Sequence, residues 1–82
     1  MSKKDYSLKF YKGRMVNDNN EVYNFYLAAR SANEAYGYLE NYVEKYSHKY
    51  HLIPGENGIY EMNVTEVAME NYGKSYGYEV IN

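Results

Sequence analysis

The sequence predicts an α+β fold, ββαββ in element order: a four-stranded, mainly antiparallel sheet with one helix packed on one face. Three observations point there. Two runs of alternating apolar residues flank the polar stretch NDNN at 17–20, SANE at 31–34 opens a helical pattern, and two further alternating runs follow the single proline, Pro54.

In the first run Tyr6, Leu8 and Phe10 alternate with Ser7, Lys9 and Tyr11, the period of two of a half-buried strand. Gly13 interrupts the alternation and marks an expected bulge before Met15 and Val16. NDNN is a turn, because Asn and Asp tolerate left-handed backbone and bond their own main chain. Tyr23, Phe25 and Leu27 then alternate with Val22, Asn24 and Tyr26, which completes a β-hairpin.

SANE is a capping box. The Ser31 hydroxyl can accept from the Glu34 N–H while the Glu34 carboxylate reaches back. The helix is expected to run to about Lys49 and to end before Pro54 in the LIPGENG loop. Gly37 costs it about 1 kcal/mol relative to alanine, so the helix depends on packing. Within it Tyr38, Tyr42, Tyr46 and Tyr50 fall at every fourth position. At 100° per residue Ala32, Ala35, Leu39, Tyr42, Val43, Tyr46 and Tyr50 share one broad face, with Tyr36 and Tyr38 at its two edges. The ladder therefore reads mainly as the sheet-facing side of the helix.

After the loop, Tyr60, Met62 and Val64 alternate with Glu61, Asn63 and Thr65. ENYGK at 70–74 is turn-like, and Tyr76, Tyr78 and Val80 then alternate with Ser75, Gly77 and Glu79. These runs are expected to form a second hairpin. No internal repeat or composition shift divides the chain, so residues 1–82 are expected to form a single compact domain.

With no cysteine in 82 residues there is no disulfide framework and no zinc–thiolate site. No apolar run follows the lysines of MSKKDYSLKF, and no stretch approaches the ~20 apolar residues that span a bilayer. A cytoplasmic protein with no membrane partner is expected. The net charge of −2 is unevenly spread: residues 1–31 carry six basic against three acidic side chains, and residues 32–82 carry eight glutamates against three lysines. A bipolar surface follows, with no chain-wide basic character for phosphate binding.

Catalytic constellations are absent from the sequence. Glu44, His48 and His51 have helical metal-ligand spacing but fall on the polar helix face. No serine sits in a nucleophile motif, and PGENG lacks the lysine of a phosphate-binding loop. Neither an enzyme, a metal nor a cofactor is expected.

One helix covers one sheet face, which leaves the other open, with Tyr11, Val22, Tyr26, Ile59, Val67 and Ile81 expected on it. The functional expectation is a small interaction protein that binds and blocks a macromolecular partner through Tyr11, Tyr26, Tyr36, Tyr38, Glu61, Glu66 and Glu79. A protein partner that handles nucleic acid fits this chemistry, because carboxylates can compete for a phosphate-binding site. Size and composition suit a phage-type inhibitor of a host defence nuclease, anti-CRISPR-like or anti-restriction. The alternative is a small single-stranded nucleic-acid-binding domain using Lys9, Tyr11, Lys12, Arg14 and Tyr26 of the basic first hairpin. A homodimer through the open sheet face is a third expectation.

Overall fold

In the computed structural model, which describes residues 7–52 and 60–81, the first hairpin forms without a break. Strands β1 (Lys9–Val16) and β2 (Val22–Ala29) pair antiparallel in continuous register from Lys9↔Ala29 to Val16↔Val22. The turn between them is organised by Asn17. Its carboxamide oxygen accepts from the backbone N–H groups of Asn19 and Glu21, both at 3.0 Å. Asn20 takes the left-handed conformation, φ 62°, that the turn composition anticipates.

Helix α1 (Ala32–Lys45) starts at the expected cap, with the Glu34 N–H donating to Ser31 Oγ at 3.1 Å. The return arm of the box goes one residue further back, to the Arg30 N–H at 3.1 Å from Glu34 Oε1. The helix is shorter than the sequence suggests. Past Lys45 the chain tightens into i→i+3 turns, with Lys49 N to Tyr46 O at 2.8 Å and Tyr50 N to Ser47 O at 3.2 Å. These turns swing Tyr50 inward against Tyr23 and Phe25, ring centroids 5.1 and 5.5 Å away. Tyr46, expected on the buried face, is exposed. Pro54 and Ile59 lie outside the described residues.

Strand β3 (Glu61–Val67) pairs antiparallel with β1, and β4 (Tyr78–Val80) pairs parallel with β2. The sheet order is β3-β1-β2-β4. The fold is α+β with one helix on the sheet, but the sheet is mixed and β3 and β4 are no hairpin. They occupy opposite edges, so the chain between them must cross a sheet face. That crossover includes a short 3-10 turn at Met69–Asn71. It packs on the face away from α1, where the Tyr72 ring sits 4.7 Å from Phe10 and 5.2 Å from Tyr26.

The core lies between α1 and the sheet and comprises Tyr11, Met15, Phe25, Leu27, Ala29, Ala35, Leu39, Val43 and Tyr50, with Met62 and Val64 packed against it. Two phases differ from the sequence reading. Gly13 makes no bulge, so Tyr11, Gly13 and Met15 all face the helix and Phe10 faces away. Gly13 is there for space: a Cβ would lie 2.5 Å from Leu39 Cδ2. In β4 it is Glu79, paired with Phe25, that turns toward the helix, while Tyr78 and Val80 face away. Tyr76 stands fully in solvent. No helix among the described residues is long and apolar enough to cross a membrane.

Candidate partner-binding surfaces

Of the residues that the sequence nominates for a partner, the structure withdraws two from the surface and turns a third partly inward. Tyr11 is 2% exposed in the helix-side core. Tyr26 lies on the opposite face as expected, yet is 3% exposed because the crossover roofs it with Tyr72 and Tyr78. Single-strand alternation could not show this, since the cover comes from a remote segment. Glu79 points inward and accepts from Tyr42 Oη, from Tyr50 Oη at 2.7 Å and from Lys49 Nζ at 3.1 Å.

These three donors explain how a carboxylate is tolerated beneath the helix. Partial burial raises the Glu79 pKa, but the hydrogen bonds from Tyr42, Tyr50 and Lys49 outweigh it and hold the carboxyl below its ordinary value. The same contacts raise Tyr42, through its bond to Glu79 and then burial. Tyr50 rises too, through burial and then that carboxylate. Glu79 thus ties β4 to the end of the helix.

Tyr36 and Tyr38 are both exposed, but on opposite flanks of α1. On the β3 flank Tyr36 and Glu40 neighbour Tyr60, whose hydroxyl donates to Glu44 Oε2 at 3.0 Å. Burial, followed by those carboxylates, raises the Tyr60 pKa. Glu61 and Glu66 are exposed on β3 itself, so this edge carries the acidic pole of the molecule. None of Glu40, Glu44, Glu61 and Glu66 forms an ion pair among the described residues.

The other flank is concave. Tyr38, Asn41, Tyr42 and Lys45 of α1, Leu27 and Ala28 of β2, and Ile81 enclose an open cavity of about 310 Å³. It exists because β4 is short: its ladder covers β2 only from Asn24 to Tyr26. The walls are largely apolar, with Asn41 and Lys45 as the polar groups and Tyr38 47% exposed. Lys45 Nζ stands 5.4 Å above the Tyr46 ring and has no carboxylate partner among the described residues. Of this site the sequence reading nominates only Tyr38 for a partner, and Ile81, expected on the open sheet face, packs against the helix-side core instead. Sequence spacing does place Tyr38, Asn41, Tyr42 and Lys45 on one helix flank, but nothing in it announces the gap at β2.

The nucleic-acid set divides as well. Lys9, Lys12 and Arg14 are exposed, whereas Tyr11 and Tyr26 cannot offer their rings. Glu44, His48 and His51 do not converge. Glu44 accepts from Tyr60, His51 pairs with Glu21 at 2.8 Å, and no group of three potential metal ligands occurs among the described residues.

Compared with known proteins, the chain matches no family model, no curated protein and no solved structure.

Proposed function

We propose that this chain is a small non-catalytic interaction protein that engages a protein partner through the groove between α1 and β2. The cavity carries this reading. At about 310 Å³ it can receive a bulky apolar side chain, and Tyr38 on its rim is the kind of aromatic that dominates interface energetics. Lys45 adds direction. An ammonium with no carboxylate partner among the described residues, beside an apolar hollow, favours a segment with an apolar anchor next to a carboxylate.

The acidic flank supports a narrower form, occlusion of an enzyme that handles nucleic acid. Glu40, Glu44, Glu61 and Glu66 present charge along one edge and form no ion pair among the described residues, which suits competition for a phosphate-binding site.

The test is affinity capture from the native host with the wild-type chain, Tyr38→Ala, Lys45→Glu and Tyr36→Ala. A partner lost with the first two variants and kept with Tyr36→Ala supports the groove. Loss with Tyr36→Ala alone would move the interface to the acidic flank and sink the groove reading.

A further inference from the structure

The crossover roofs only part of the sheet face away from the helix. Tyr72 covers Phe10 and Tyr26, and Tyr78 stacks on Tyr26 at 4.5 Å. Among the described residues, nothing else covers that face. Strand register sets Asn63, Arg14, Asn24 and Tyr78 in a row across all four strands, and Thr65, Lys12, Tyr26 and Val80 in the next. Arg14, Lys12, Asn63 and Thr65 are exposed, while Asn24 and Tyr78 are half-buried.

In an acidic chain, the centre of this face therefore holds two cations with amide and hydroxyl side chains beside them. Neither Lys12 nor Arg14 has an ion-pair partner among the described residues. Across a sheet, an unneutralised charge is normally answered by an opposite one on the neighbouring strand. Here Arg14 faces Asn24 and Asn63, and Lys12 faces Thr65 and Tyr26. Among the described residues, no carboxylate neutralises them.

We propose that this open half of the sheet binds single-stranded nucleic acid. Arg14 and Lys12 neutralise phosphates, Asn24 and Asn63 hydrogen-bond base edges, and Tyr78, backed by Tyr26, supplies the stacking surface. Four strands at ordinary spacing give a platform about 14 Å across, which suits two or three bases laid over a sheet. The roof formed by Tyr72 walls one side. Glu61 borders the opposite corner on β3 and repels phosphate, so the strand is steered toward β4. A duplex would present its phosphates on a convex surface and could not splay bases onto the row. The site is independent of the groove, which lies on the helix side.

The test is fluorescence anisotropy with labelled 12-nucleotide DNA and RNA single strands, a duplex of equal length, and a polyglutamate peptide as competitor. Single strands should bind with a Kd of the order of tens of micromolar at about 50 mM salt. Arg14→Ala should weaken binding about tenfold, and Lys12→Ala should lower the salt slope by about one. Asn24→Ala and Asn63→Ala should weaken binding several-fold with the slope unchanged, and Lys45→Ala on the helix side should leave it unaltered. Thermal melts verify that each variant is folded. The proposal fails if single strands do not bind at about 100 μM protein, or if Arg14→Ala is silent. Equal affinity for the duplex would also overturn it, as would equally effective competition by polyglutamate, which would mark a dock for an acidic protein instead.

Discussion

Leu39 of the helix sits in the space that Gly13 leaves open in the central strand β1, so close that any Cβ at residue 13 would lie 2.5 Å from Leu39 Cδ2. Leu39 is fully buried. Gly13→Ala should therefore cost about 1–3 kcal/mol through overpacking, despite alanine's lower backbone entropy cost. Urea denaturation measures this. A neutral or stabilising Gly13→Ala would show that the helix is free to lift off the sheet. Leu39→Ala alone should cost about 2–5 kcal/mol through the cavity it leaves. In the double variant the two losses should be less than additive, because the new methyl occupies part of that cavity.

Tyr11 is a core residue, so its truncation should act on stability. Tyr11→Ala should cost about 3–5 kcal/mol, the range for emptying a large aromatic site. Tyr11→Phe should cost far less, since it keeps the ring that packs in the core. Thermal melts of the two variants decide it. A folded, fully stable Tyr11→Ala would return this ring to the surface.

Asn17 uses its carboxamide completely. Besides the two N–H groups it accepts from, it donates to Glu21 Oε1 and to the Tyr50 carbonyl, both at 2.9 Å. The second of these bonds the hairpin turn to the segment that follows the helix. Asn17→Ala should cost about 2–3 kcal/mol, since it strands a buried carbonyl and the amides of Asn19 and Glu21. Asn17→Asp keeps the acceptor and loses the donors, so it should recover part of the loss. Equal melting temperatures for the two variants would show that the retained acceptor oxygen contributes nothing net beside the lost donor bonds to Glu21 and Tyr50.

Glu79 gives the fold a dependence on pH. Its folded pKa is depressed, so its contribution is fully present above the unfolded carboxyl value of about 4.3 and is lost as pH falls through the folded value. The wild-type urea midpoint should fall from pH 5 toward pH 3 more steeply than that of Glu79→Gln, which has no charge to lose. The difference between the two curves isolates Glu79 from the other carboxylates. Parallel curves would remove Glu79 from the acid response.

Local signals carried much of this architecture. NDNN made its turn, Ser31 capped its helix through Glu34, and Met62 and Val64 took the inward phase that their alternation implies. The errors arose where a residue answers to something distant. Gly13 reads as a bulge unless Leu39 is known to descend on it. Period-two logic turns Tyr78 inward over Glu79, because a carboxylate looks costlier to cover than a phenol. The hydroxyls of Tyr42 and Tyr50 reverse that preference. The exposed residues fared similarly: the spacing put Tyr36 and Tyr38 at the helix edges, but only the sheet order reveals that one borders carboxylates and the other a hollow.

The crossover from β3 to β4 also shapes how the molecule is put together in time. The first hairpin, the helix and β3 can assemble from short and medium-range closures, whereas β4 must travel over the finished sheet to meet β2 in parallel. Loop closure of that kind is slow and entropically costly, and a three-residue ladder, the Glu79 contacts and the packing of Tyr72 and Tyr78 on Tyr26 reward it. Strand β4 should therefore join last and leave first. In native-state hydrogen exchange, the Ile81 amide, bonded to the Tyr26 carbonyl at 2.8 Å, should exchange through local opening well below the global unfolding free energy, while the β1–β2 amides exchange only when the whole chain unfolds.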